Sequence, residues 1–270
     1  MRVVLAWIVL SVAATNAFAA ARHTKPFWKA IVDSGFAVPA GEQPGALVME
    51  LTADFSSPDP VLRDDYAYSI LAQWVYAKRL FTPAELRSFI AAWTARLRVG
   101  LDDHRVSAVL GRSFSALALS TVAALDNEQP FLEKLEFDAL LGHALAYLHD
   151  ERDLRGFDDR AGWLHATAHT ADLLKFLARS RHLDPEQQPR IFAALVARLD
   201  SADVAFAHGE ETRLARAALS LFVRADFDAT VGHEVDRRDR RSKVRGGRAR
   251  ARTARQPRTL SHRALRPHRH

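Results

Sequence analysis

Four apolar-patterned stretches begin at nearly equal intervals along this chain. Their first marked residues are Arg63, Arg112, Gly162 and Arg213, spaced 49, 50 and 51 residues apart. A more ordinary amphipathic stretch precedes each one. Helix pairs repeating at this period are the signature of an all-α fold, a HEAT-like α-solenoid of stacked helical hairpins. In such a stack one helix of each pair lines a concave face, so the polar starts of these second helices meet on one surface. The residues match poorly between repeats, which leaves unrelated helical hairpins with a coincident spacing as the alternative.

The rest of the pattern is helical as well. Val, Ile and Thr are not gathered in alternating runs and no Asn-Gly hairpin dipeptide occurs, while apolar residues recur at helical spacing. Helices are expected over 25–34, 44–54, 61–78, 82–98, 105–125, 131–149, 161–179, 186–200 and 211–223. Thr82-Pro83-Ala84-Glu85 carries a capping box with proline at the first helical position, and Asp184-Pro185-Glu186 repeats the cap-plus-proline signal. Trp74, Trp93, Phe114, Phe131, Phe137, Phe176 and Phe192 fall at helical spacing and are expected in the core. His104, His143, His149 and His182 are scattered, as surface or cap residues are.

The ends differ from the body. Met1-Arg2, an apolar run from Val3 to Leu10 and the A-x-A site Ala17-Phe18-Ala19 form a secretory signal peptide with cleavage expected after Ala19. That predicts a periplasmic or secreted protein. No later segment looks long and apolar enough to cross a bilayer of about 20 residues' thickness. There is no cysteine, which excludes disulfides, thiol nucleophiles and Cys-ligated zinc and leaves core burial to supply stability. Of 38 Lys/Arg and 32 Asp/Glu, the stretch from Val231 to His270 holds 14 and 3, leaving a mildly acidic body with 24 and 29. So basic a stretch, with almost no large apolar residue, predicts a disordered tail over 230–270 after a domain at 20–229. It lacks the interleaved aromatics of a single-strand binder, so no specific nucleic acid is expected. The tail reads as a solvated end, an arm for anionic surfaces, or the product of a slipped reading frame.

Gly162-Trp163-Leu164-His165-Ala166-Thr167-Ala168-His169-Thr170-Ala171-Asp172 is the densest chemical signal. Read as one helix, it places His165, His169 and Asp172 on one stripe over two turns. Histidines at i and i+4 can chelate one metal, and two imidazoles with a carboxylate suit Zn²⁺ or non-haem Fe²⁺. The stripe lacks the glutamate of H-E-x-x-H, and three donors on one straight helix are strained, so two of them with a carboxylate from elsewhere (Glu151, Asp153 or Glu211) fit better. A buried polar network is the second reading, with Arg63, Arg112, Arg155 and Arg213 paired to acids and the histidines bridging them. A metal-free pocket is the third, with a histidine as proton carrier and Arg112 and Arg155 holding an anion. In every reading Arg112, Asp153, Arg155, Trp163, Glu211 and Arg213 are expected to converge with His165, His169 and Asp172. Ser113 and Ser115 have no nucleophile-elbow context. A binding module for a protein, peptide or small molecule is the leading functional expectation, and a metal-dependent hydrolase or oxygenase the alternative.

The same motifs carry a resemblance. Leu62-Arg63-Asp64-Asp65, Arg112-Ser113-Phe114-Ser115, Glu151-Arg152-Asp153-Leu154-Arg155-Gly156, the Gly162–Asp172 stretch and Gly209-Glu210-Glu211-Thr212-Arg213-Leu214 resemble the DUF2785 family of bacterial proteins over roughly 25–225. The likeness is most specific from Arg155 to Asp172. Glu211 stands where the family usually has Asp, so the carboxylate is kept. The resemblance places the signal peptide and the basic tail outside the family region. It implies an all-helical fold and no activity, since the family's function is unknown.

Overall fold

The computed structural model describes residues 22–202 and 205–227. The signal peptide and the basic tail expected from the sequence lie outside the described residues.

Besides a 3-10 turn at Pro185–Gln187, nine helices occur among the described residues: α1 Lys25–Asp33, α2 Pro44–Asp54, α3, α4 Pro83–Arg96, α5 Val106–Glu128, α6 Lys134–Asp150, α7 Ala166–Leu177, α8 Gln188–Asp200 and α9 Glu210–Phe222. Helix α3 is continuous through three windings, π over Val61–Tyr68, α over Ser69–Ala72 and π over Gln73–Ala77. The local signals act as expected. Thr82 Oγ1 accepts the Glu85 amide at 3.3 Å while the Glu85 carboxylate accepts the Thr82 amide at 2.8 Å, which closes the capping box on α4. Asp184 and Gln187 form the same box ahead of α8.

The helices form two layers. In the inner layer α5 packs against the end of α3 and against α7, and α7 against α9. In the outer layer α4 covers α5, α6 covers α7 and packs beside α8, and α8 covers α9. This is a stack of helical hairpins. Side-chain contacts between neighbouring hairpins show the repeat directly. Arg79–Glu128, Arg87–Glu136, Asn127–Phe176 O, Arg181–Leu132 O and Gln187–Asp138 are hydrogen bonds that each join residues 49 apart. Equivalent positions of adjacent repeats therefore touch.

The core runs the length of the stack. Trp28, Trp74, Trp93, Phe114 and Phe137 are buried, while Phe131, Phe176 and Phe192 are half-buried against the core's edge. Helix α5 corrects one expectation. By length and composition it could cross a membrane, but 89% of its apolar window is buried inside the fold, so it is the central helix of the stack.

The second correction falls on the chemically dense stretch. It is not a helix from Gly162. Phe157–Asp158 and Gly162–Trp163 pair as a short antiparallel hairpin, β1 and β2, with Phe157 opposite Trp163. Asp158 accepts the amides of Arg160 and Ala161 at 3.0 and 2.9 Å, and Gly162 turns at φ +77°, so this loop has its own Asx-type turn. Helix α7 begins only at Ala166.

Candidate functional site

Inner helices α7 and α9 both start from a left-handed residue. Before α9 it is Gly209, at φ +88°, where the absence of a Cβ makes that conformation free of strain. Before α7 it is His165, at φ +50°. A side chain held there costs on the order of 1 kcal/mol. The backbone reversal lifts His165 off the helical stripe and turns it towards the start of α9.

His165 is 7% exposed and lies flat against the indole of Trp163, with ring centroids 4.7 Å apart and planes 3° apart. Its Nδ1 faces Glu210 Oε1 at 3.5 Å. Glu210 is 1% exposed, and neither that oxygen nor His165 Nδ1 has a hydrogen-bond partner among the described residues. The other oxygen of Glu210 accepts the His208 amide at 2.9 Å. Gly156 is what lets this happen. A Cβ there would lie 2.1 Å from Glu210 Oε1 and 2.8 Å from His208 Cβ. Its carbonyl accepts the amides of Leu164 and His165 at 2.9 and 3.3 Å, which locks the loop over the start of α7.

Outside His165, Trp163 is 45% exposed and Phe157 39% exposed, their rings edge to face at 4.8 Å, with His208 5.8 Å from Trp163. Beneath it, His169 is buried, 5.5 Å from His165 between ring centroids, and edge-on to Phe114 at 5.0 Å. Its Nδ1 is 2.8 Å from Ser113 Oγ. Ser113 gives its own proton to the Leu164 carbonyl, so Nδ1 of His169 must be the donor and the ring the Nδ1–H tautomer. Burial, helped by the positive fields of His165 and Arg213, pushes His169 well below the usual imidazole range. Burial likewise lowers His165, against the opposing pull of Glu210. Burial thus favours the neutral form of both rings. Ser113 is buried with its proton committed, which agrees with the absence of a nucleophile context in the sequence.

The other expected residues form two further groups. Asp172 is bound by Arg213 and by Lys175 at 3.3 Å, on the side of α7 that faces α9. Arg112 and Glu151 make a buried ion pair with two bonds, at 2.6 and 3.1 Å. Glu151 also accepts the Asp153 amide at 3.0 Å, and Asp153 holds Arg155, whose Nη2 reaches the His104 carbonyl at 2.9 Å. The residues thus share one loop-and-helix neighbourhood but divide into three clusters. The His165–His169–Asp172 ligand set is not assembled, because the αL turn removes His165 from the stripe and two cations occupy Asp172. Among the described residues no group of three His, Cys, Asp or Glu side chains is placed to hold a metal.

Glu211 is the residue the sequence reading misassigned. Helix α9 buries Glu210, Leu214, Ala217 and Leu221, and in that phase Glu211 falls on the exposed side. The buried carboxylate is its neighbour. The signal was the spacing of Glu210 from Leu214 and Ala217, one face of a helix.

Comparison with known proteins adds one finding. The family model described as protein of unknown function DUF2785 matches residues 97–259. The chain belongs to the DUF2785 family. The matched segment contains Arg112, the 151–165 loop, both histidines and the start of α9. It leaves out the Leu62–Tyr68 motif, and it runs past Thr230, so most of the basic stretch that the resemblance had set aside falls inside the DUF2785 match. No curated protein and no solved structure matches the chain.

Proposed function

We propose that this DUF2785 protein is an exported recognition module that holds a partner protein or peptide at the Phe157–Trp163 surface. The observation that carries the reading is the state of Trp163. It is exposed as an interface anchor is, yet lies flat on a buried histidine with a left-handed backbone. Large aromatic side chains presented at little entropic cost are the usual energetic centres of protein interfaces. Strain persists at such sites when the surroundings over-determine it. The buried polar groups behind the rings, Glu210 Oε1 and His165 Nδ1, supply a directional element at the edge of the apolar surface. The charged N-terminal start, apolar run and A-x-A site support a periplasmic or secreted location, which the N-terminal sequence of the mature protein would test.

The experiment is site-specific cross-linking. A photoreactive aromatic residue at position 163 should trap a discrete partner in native extract, identified by mass spectrometry. Purified, that partner should bind the wild type and lose at least about tenfold in affinity to Trp163→Ala and Phe157→Ala, as anchor truncation does. Leu135→Ala, at an exposed residue of α6, should change nothing. A clean monomer with no cross-linked species, or equal loss in all three variants, would count against the proposal.

A further inference from the structure

A cavity of about 220 Å³ lies between the ends of α6 and α8, in the outer layer, lined by Leu148, Arg152, Ala194, Ala197 and Arg198 among others. Two arginines line it and no Asp or Glu side chain does. Arg152 is exposed and makes no hydrogen bond or ion pair among the described residues. Arg198 is 6% exposed, and no carboxylate pairs with it among the described residues. The acids adjoining in sequence are taken elsewhere: Asp150 by His149 at 2.8 Å and Arg98 at 3.3 Å, and Glu151 by Arg112 at 2.6 Å.

Only part of the Arg198 guanidinium is used. Nη1 and Nη2 both donate to the Glu151 carbonyl at 3.0 Å, across the end of the group. Nε is buried and has no partner among the described residues. In a planar guanidinium Nε–H and the outer hydrogen of Nη2 lie side by side along one edge. That edge is a fork without an acceptor. Burial lowers the Arg198 pKa and the charge of Arg152 pushes the same way, while Glu151 and Tyr147 oppose. A buried guanidinium is costly unless an anion pairs with it, and here a second like charge shares the space. The carbonyl ends of α6 and α8 answer part of that charge. At about half an elementary charge each, they leave about one of the two positive charges unbalanced. The rest of the wall, Leu148, Ala194 and Ala197, is apolar.

We infer that this cavity binds the carboxylate of a small aliphatic acid, with the free edge of Arg198 and the charge of Arg152 on the carboxylate and the carbon chain against Leu148, Ala194 and Ala197. Two parallel N–H groups match the two oxygens of a carboxylate, and the apolar wall favours a carbon chain over inorganic phosphate. The site lies on α6 and α8 and does not depend on recognition at Trp163.

Titration calorimetry and thermal unfolding with acetate, propionate, butyrate and inorganic phosphate, at ionic strength matched with chloride, test it. Saturable binding of butyrate is expected in the wild type, with affinity rising about fourfold for each methylene from acetate onwards, as burial of the chain predicts. Arg152→Ala, at an exposed position, should fold as the wild type does and bind butyrate about tenfold more weakly, as loss of one charge-assisted contact does. Ala197→Glu puts a carboxylate of the protein's own at the cavity. It should melt no lower than the wild type and lose the butyrate response, which separates site loss from misfolding. No saturable response to any of the three acids, a response unchanged in both variants, phosphate binding as tight as butyrate, or a response that chloride reproduces would each overturn the proposal.

Discussion

Two buried acid–base contacts flank the same loop, Glu151 at its start and His165 at its end, and are built oppositely. Between Arg112 and Glu151 almost every donor and lone pair is used: two bonds join the pair, carbonyls take the remaining guanidinium hydrogens, and Glu151 also accepts a backbone amide. Between His165 and Glu210 the facing atoms stand 3.5 Å apart with no other partner, beside a left-handed backbone and an exposed indole. A saturated pair fixes helix positions and has nothing left to offer a ligand. An unsaturated one is held together by its surroundings and keeps valences free. On the proposed reading, the first cluster serves stability and the second recognition.

The largest effect should therefore come from the saturated pair. Arg112→Ala strands a buried carboxylate and should cost about 3–5 kcal/mol in urea unfolding, while any surviving folded protein binds its partner normally. Equal weakening of partner binding would erase the distinction. Gly156→Ala comes next. The added methyl collides with Glu210 and His208, and overpacking of this kind costs about 1–3 kcal/mol; because it dislodges Glu210, it should also weaken binding.

Acid separates the clusters in another way. Burial holds His169 and, against the opposing pull of Glu210, His165 below the imidazole's ordinary 6.5. The unfolded chain takes up protons near that pH while the folded chain does not. Stability should thus be full above about pH 6.5 and fall below it, by up to about 1.4 kcal/mol per pH unit for His169 until its folded-state value is reached. His169→Gln should flatten most of that slope in melts between pH 5 and 8. The smallest stability effect belongs to Trp163→Ala, within about 1 kcal/mol as for a surface substitution, with the largest loss of partner binding. Elemental analysis of untagged protein sharpens the same point. Zinc and iron should be substoichiometric, since Arg213 and Lys175 already occupy Asp172.

Most of the stack was legible in the chain because helices announce themselves locally. Capping boxes, prolines at first positions and apolar periodicity need no distant partner, and α2, α3, α4 and α9 begin within a residue of their expected starts. The repeat was legible for a related reason: Arg63, Arg112 and Arg213 do lie on three inner helices. What was not legible depends on backbone sign and helix phase. Nothing about His165 in sequence shows a positive φ, which glycine signals and histidine does not. The hairpin before it is two residues per strand, too short for any alternation to register. At α9, a one-residue shift of phase exchanges Glu210 for Glu211 as the buried carboxylate, and only packing against the 156 loop decides between them.

Hydrogen bonds joining residues 49 apart mean that each hairpin is coupled mainly to the next. Cooperativity in such an array is passed from neighbour to neighbour and weakens towards an end. The recognition cluster spans the joint between α7 and α9, the last inner-layer joint among the described residues, while Arg112–Glu151 lies further inside. Amides of α9 should then exchange with solvent through local opening well below the free energy of global unfolding, and those of α5 only near it. A partner that closes over Trp163 would clamp the joint where the array frays first, and its binding would be read out as protection along α9.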